Sequence, residues 1–267
     1  MAPIVPESSL EDLPHGVRRL FKRLRERLKD ALQDNLVGIY FLGSIAFPGF
    51  VPDRVDLDFQ VVVGHELDEE EIEALRDMHR LLVGEYRYAE HLDGFYVPLS
   101  KVREAIPPEE LVGAGGEEVW TSVKDGAWAL HREHIHQGAV LVLAGPDPRT
   151  LFLPATWPEI ARALDDERRF IKAHLHHYPF YCVLNLCRLV YTWATKDVAV
   201  SKVAAADWAM DTLPARWEPL VRSALRAYRM EDEEVDLERL REGVNSFYQF
   251  AARRIDAASG EEGEARV

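Results

Sequence analysis

The sequence predicts a mixed α/β N-terminal domain followed by an all-α helical bundle. Three observations carry this. Apolar strand-like runs alternate with helical patterns up to about residue 150. Five helical patterns then follow with no strand signal between them. A proline-rich stretch, Gly145-Pro146-Asp147-Pro148 and then Pro154 and Pro158, separates the two regimes. The expected domains are 1–150 and 151–258. A disordered tail is expected at 259–267, where GEEGEARV offers nothing to bury.

The elements follow in order. From Pro14 to Asp34 the residues Val17, Leu20, Phe21, Leu24 and Leu28 form one apolar stripe, so this segment is a helix. Leu36–Leu42 (LVGIYFL) reads as a strand, and so does Asp56–Val63 (DLDFQVVV). Asp68 with Glu71 makes a capping box that opens a helix running to about Val83. Strands are expected at Phe95–Leu99, near Val119–Val123, at Ala127–Leu130 and at Ala139–Ala144. Helices are expected over about 159–176, 180–195, 202–212, 216–229 and 234–257. A cleft between two such domains is the usual place for a ligand.

Composition excludes several classes. The 267 residues are 47% hydrophobic and 29% charged, enough for a packed core and too apolar for global disorder. No apolar run approaches the roughly 18 residues of a membrane span. The N-terminus shows no apolar signal core, and a cytoplasmic location is expected. A net charge of −14 disfavours nucleic acid as a partner. Cys182 and Cys187 lie five positions apart on one helix, about 7.5 Å by helical rise, too far for a disulfide.

The most informative segment is Gly43-Ser44, eleven residues, then Asp56-Leu57-Asp58. In a strand, positions i and i+2 share a face, so Asp56 and Asp58 stand side by side. Two adjacent carboxylates are either solvated acids on an exposed strand or the ligands of a cation such as Mg²⁺. Gly43 lets the backbone approach a phosphate, and Ser44 adds donors.

This pattern of LGS, a loop with Gly and Pro, and DLD opening an apolar strand resembles the polymerase-beta-like nucleotidyltransferase superfamily. The helical half sharpens the resemblance. VLNLCRLVYTWATKDVAVSKVAAADWAMDTLPARWEPLVRSALRAYR is similar to the C-terminal domain of the streptomycin/spectinomycin (aminoglycoside) adenylyltransferases of AadA type, with AAADWAMDTLPARWEPL the most specific part. The likeness covers roughly residues 35–250. It implies a nucleotidyltransferase fold packed on a helical bundle. It also implies transfer of AMP from ATP to a small-molecule hydroxyl with Mg²⁺, as two ions. No nucleic-acid or membrane partner is expected, and the chain is expected as a monomer or weak dimer.

The resemblance assigns roles. Asp56 and Asp58 would hold metal. A third carboxylate is needed, and Asp93 is the candidate for catalytic base; Asp93-Gly94 also reads as a hairpin turn, with Glu90 as the fallback. Gly43, Ser44, Arg188, Lys202 and Tyr228 would contact the nucleotide. Residues Tyr181, Asn185, Arg188, Thr192 and Thr195 make a polar stripe on an otherwise apolar helix. Arg188 there needs an anion, either phosphate or a structural carboxylate. Lys202 follows the N-cap Ser201, where a helix N-terminus attracts phosphate; a solvated lysine is the alternative. Tyr228 is equally a core residue.

The acceptor half departs from the family. Before VLNLCR stands KAHLHHYPFYC, which has no carboxylate, the nearest acids being Asp165, Asp166 and Glu167. His176, His177 and Trp120 are the candidate acceptor contacts, and core packing is the alternative for Trp120 and Trp128. The clusters His131, His134, His136 and His174, His176, His177 read as surface or cleft-lining residues rather than a metal site. A non-aminoglycoside acceptor, or a nucleotide-binding sensor without catalysis, stays open beside the aminoglycoside reading.

Overall fold

The computed structural model describes residues 8–47, 50–53, 55–229 and 233–264. Pro48, Gly49 and Arg54 of the loop before Asp56 lie outside the described residues. The chain forms two compact units, residues 1–163 and 164–267. Each is described by itself.

After a single turn, α1 (Ser8–Glu11), the first unit runs α2 (His15–Leu32), β1 (Leu36–Phe41), β2 (Leu57–Val63), α3 (Glu69–Glu85) and β3 (Leu92–Pro98). It continues through β4 (Leu111–Gly115), β5 (Glu118–Val123), α4 (Trp128–His136) and β6 (Leu141–Ala144) into α5 (Trp157–His174), inside which the two units divide. The sheet order is β5-β4-β3-β2-β1-β6. Only β2 and β3 pair in parallel; the other neighbours are antiparallel. A parallel pair needs a crossover, and α3 supplies it, opened by the expected Asp68/Glu71 capping box.

Strand alternation divides β2 between two environments. Leu57, Phe59, Val61 and Val63 join the core made with α2 and α3. Val62 joins a second core that holds Trp128 and Ile135 of α4. Asp58 and Gln60 share the parity of Val62 and so face the side of α4. In β3, Leu92 and Tyr96 belong to the first core and Val97 to the second, which puts Asp93 on the side of Asp58. This face of the sheet carries the acids.

Three expectations need correction. Ala127–Leu130 is not a strand: it enters α4, whose Trp128, Arg132 and Ile135 are buried at helical spacing. Four apolar residues were too few to separate the two periods. Strand β4 had no strand-like signal, because LVGAG carries two glycines in five residues. The chain is helical through Glu264 in α9 (Glu233–Glu264), where a disordered tail was expected from 259; residues 265–267 lie outside the described residues.

Arg132 ties the end of this unit together. Its guanidinium donates to the carbonyls of Ala105, Leu153 and Pro154 and to Glu159 Oε1 at 2.8–3.0 Å, with the side chain 2% exposed. Burial of that charge is offset by four acceptors.

The second unit contains α6 (Pro179–Thr195), α7 (Lys202–Thr212), α8 (Glu218–Tyr228) and α9. Helix α6 packs against α7, α8 and α9, which is why it is apolar almost all round. Cys182 and Cys187 are buried free thiols on it. No helix among the described residues is long and apolar enough to cross a membrane.

The β2–β3 contact yields a prediction. A Cβ at Gly94 would collide with the carbonyl oxygen of Phe59 across the strand pair. Gly94→Ala is expected to destabilise the protein by about 2–3 kcal/mol, as overpacking against backbone does. Chemical denaturation against the parent chain measures it.

Candidate functional site

The site in the first unit is built by strand register. Asp58 and Asp93 are direct partners in the parallel ladder, on neighbouring strands and on one face. Asp93 is therefore the second residue of β3 and not part of a hairpin turn. Asp56 lies one residue before β2, exposed, and Asp58 is half-buried. Glu90 sits in a short turn of helix before β3 with its side chain beside His91, so it is not on the strand face that carries Asp93.

Gly43 completes this corner. It opens a one-turn 3-10 helix after β1 with φ +65°, and a Cβ there would collide with the Asp58 carboxylate. The backbone conformation requires glycine at this position, and any side chain there would displace the Asp58 carboxylate. Ser44 follows in the same turn, half-buried. The Asp58 carbonyl accepts from Leu42 N–H at 2.9 Å, which fixes the turn against β2.

Asp93 is exposed on the strand, yet partial desolvation at the sheet face raises its pKa, repulsion from Asp56 and Asp125 raises it further, and His131 pulls it down. A carboxyl that holds its proton more tightly is a better proton acceptor once ionised.

Three residues of this face escaped the sequence reading as a group: Gln60, Asp125 and His131. Asp125 Oδ2 accepts from His131 Nδ1 at 2.7 Å and from Gln60 Nε2 at 3.0 Å, and its Oδ1 accepts from Ala127 N–H at 2.8 Å. Asp125 and Gln60 are buried, whereas the His131 side chain is 17% exposed. Gln60 was the available signal: a polar residue inside DFQVVV, at the parity of Asp58. His131 was obscured by the strand expected at 127–130.

Trp120, on the edge strand β5, is 42% exposed, and its indole N–H donates to Glu118. Its ring lies over Gly115, the antiparallel partner of Asp93. An exposed indole thus flanks the acids on their own face. Trp128 is fully buried, with its N–H on the Glu104 carbonyl, and is core.

In the second unit, Tyr181, Asn185, Arg188 and Lys202 gather on α6 and the start of α7. Arg188 Nη1 donates to Asn185 Oδ1 at 3.2 Å, and among the described residues no carboxylate lies within ion-pair distance of it. Asn185 is buried, and its Nδ2 has no partner among the described residues. Lys202 Nζ lies 5.0 Å from the centre of the Tyr181 ring, and Tyr181 OH donates to Glu167 at 3.2 Å. Ser201 caps α7 through Ala204 N–H, as its sequence position implied. Guanidinium, ammonium and amide are all donors, the chemistry that an anion accepts from.

Tyr228 is packed in the helical core, 3% exposed. His176 is exposed and pairs with Asn245 at 3.0 Å; His177 is exposed beside His174 and Tyr178. Phe170, His174 and Tyr178 stack in sequence there, so this segment presents rings rather than carboxylates.

The donor chemistry at Asp56 and Asp58 fits Mg²⁺. Among the described residues no three His, Cys, Asp or Glu side chains converge to hold a metal. Such a set does not suit zinc, which takes three or four protein ligands. It suits a cation that keeps water and substrate oxygens beside one or two carboxylates. The space left by the missing Gly43 side chain adjoins the Asp58 oxygens.

Residues 150–254 match the family model described as aminoglycoside adenylyltransferase, C-terminal domain. A spectinomycin 9-adenylyltransferase of Staphylococcus aureus is 24% identical over 217 residues, covering 76% of this chain and 82% of the relative. Residues 150–254 thus resemble the C-terminal domain of the aminoglycoside adenylyltransferases. A second relative, the aminoglycoside (3'') (9) adenylyltransferase of Escherichia coli, is 28% identical over 223 residues, covering 76% of this chain and 81% of the other. The fold matches a crystal structure of the spectinomycin adenyltransferase AAD(9) from Enterococcus faecialis with ATP and spectinomycin. The TM-score is 0.72 and identity 19%, over 88% of this chain and 98% of that one.

The raised Asp93 pKa gives a prediction. The folded state binds the Asp93 proton more tightly than the unfolded state. Stability is therefore lost as pH rises from the unfolded carboxylate value of about 3.9 through the folded one. Asp93→Asn removes that loss. The variant is expected to melt no lower than the parent at pH 7, while AMP transfer falls by about 10²–10⁴-fold. Thermal melts at pH 4 and 7 alongside turnover check both parts.

Proposed function

We propose that this chain transfers AMP from ATP to a hydroxyl of a small molecule, with an aminoglycoside of the streptomycin/spectinomycin type as acceptor. The carrying observation is the register pairing of Asp58 with Asp93 on one sheet face, with Asp56 beside them and Gly43 clearing the space. The names of the relatives support the same reaction.

Asp56 and Asp58 are the proposed ligands of Mg²⁺, which when bound offsets the charge of the phosphates and of the attacking and leaving oxygens. Asp93 accepts the proton of the acceptor hydroxyl. That oxygen forms a bond to the α-phosphorus, the bond from the α-phosphorus to the bridging oxygen breaks, and pyrophosphate leaves with that oxygen. Gly43 and Ser44 offer backbone approach and donors to phosphate. In the helical unit, Arg188 and Lys202 are the proposed holders of the triphosphate, supported by the lack, among the described residues, of a carboxylate partner for Arg188 and of any partner for the Asn185 amide nitrogen. Tyr228, being core, would act on the nucleotide only through packing.

A second reading concerns the acceptor. His176, His177 and the stacked rings of Phe170, His174 and Tyr178 stand where KAHLHHYPFYC lacks acids. A polycation finds little charge there, and Glu167 is engaged by Tyr181. This favours a less cationic hydroxyl compound whose rings stack, with Trp120 as a further platform.

Pyrophosphate release from ATP and Mg²⁺ tests both readings, with spectinomycin, streptomycin and uncharged polyols offered in turn. Turnover with a drug is the expected result; turnover with uncharged acceptors alone would select the second reading. Asp56→Asn and Asp58→Asn are each expected to cut turnover by at least about 10³-fold. An Asp56→Asn protein as active as the parent would sink the mechanism.

A further inference from the structure

We propose that His131 is a further residue of the reaction site, donating from Nε2 to a phosphoryl oxygen of the nucleotide, with Asp125 and Gln60 fixing its ring. This rests on the reading above that a nucleoside triphosphate binds at Asp56 and Asp58.

The geometry starts from a cost. Asp125 is 1% exposed and Gln60 fully buried, and a buried carboxylate is unfavourable unless donors surround it. Asp125 has three: Ala127 N–H on Oδ1, and Gln60 Nε2 and His131 Nδ1 on Oδ2. Since the carboxylate accepts, Nδ1 of His131 carries hydrogen, and the ring orientation is set. Gln60 Nε2 lies 3.3 Å from Nδ1, and both donate to Asp125 Oδ2, so this shared acceptor places the imidazole over β2 two residues beyond Asp58. Nε2 has no partner among the described residues, although the ring is largely buried. Packing does not explain this arrangement. A buried acid and amide converge on one nitrogen of a ring and leave its other nitrogen bare, on the face that carries Asp58 and Asp93.

The charge environment selects the donor form. Burial disfavours the imidazolium, but attraction from Asp125, then Asp58 and Asp93, outweighs it and raises the His131 pKa. The acids favour the imidazolium, in which Nε2 is a charge-assisted donor, and the anion such a donor would take here is phosphate. The support from Asp125 and Gln60 is of the kind that orients functional histidines in general.

The test is binding of α,β-methylene ATP, whose Pα–Pβ link does not cleave, with Mg²⁺ to the full chain by calorimetry. His131→Ala is expected to weaken binding about tenfold, as loss of a charge-assisted hydrogen bond does. His131→Gln, which keeps an N–H donor, is expected to recover binding to within about threefold of the parent. Asp125→Asn is expected to fall between the two. In long-range ¹H–¹⁵N spectra of histidine-labelled parent chain, the His131 Nε2 signal should move on adding the nucleotide analogue with Mg²⁺ and stay in place with Mg²⁺ alone. Unchanged binding by His131→Ala, beside lost binding by Asp56→Asn, overturns the His131 role and leaves the carboxylate reading standing. Equal weakening by His131→Ala and His131→Gln, with an unmoved Nε2 signal, also overturns it. Full binding by Asp56→Asn, or no binding by the parent, overturns the carboxylate reading and this inference with it.

Discussion

The first unit is organised around an unfavourable interaction. Asp56, Asp58 and Asp93 bring like charges together, with Asp125 close enough to repel Asp93 as well. The fold tolerates this because the parallel β2–β3 ladder fixes Asp58 beside Asp93, and because backbone pairing and two apolar cores stabilise the strands independently of the acids. Proteins concentrate such tension at working sites, where a ligand of opposite charge relieves it. The imidazole of His131 supplies part of the relief within the chain; a bound cation would supply the rest.

Much of this was legible. The stripe Val17, Leu20, Phe21, Leu24, Leu28 is the buried side of α2, and the Asp68/Glu71 box caps α3 as expected. Ser201 begins α7, and the polar stripe on α6 holds Asn185 and Arg188 in contact. These features are local, set by spacings of three and four residues or by a single cap. The pairing of Asp58 with Asp93 was not readable, because register between strands 35 positions apart depends on a crossover that no local pattern encodes. The sequence also left Asp93-Gly94 poised between strand and turn. The two cores decided it, since Leu92 and Tyr96 are both buried on the side opposite Asp93.

The dyad of Asp125 and His131 illustrates a different failure. A four-residue apolar stretch was read at period two, and the true period appears only when Arg132 and Ile135 are counted with Trp128. Arg132 looks like a surface residue in sequence and is among the most buried side chains in the unit. Its partners are backbone carbonyls from two separate loops, which composition does not reveal. Tyr228 shows the reverse case: a residue assigned to the nucleotide by resemblance is, by position, part of the bundle interior.

The sheet order has a consequence for how the chain matures on the ribosome. Strand β1 lies between β2 and β6, and β6 is made last of the six. Until residue 144 has emerged, β1 exposes an unpaired edge, and Tyr40 on it and Leu42 just after it lack part of their cover. The acids of β2 and β3 can come together much earlier, some fifty residues before β6 appears. A nascent chain would thus hold its charged corner assembled while one flank of the sheet stayed open to wrong partners. Gly145, with φ +96° and its Cα packed against the backbone of Val37 and Gly38, closes that flank directly after β6. The turn that ends the sheet is also the latch that ends its vulnerability.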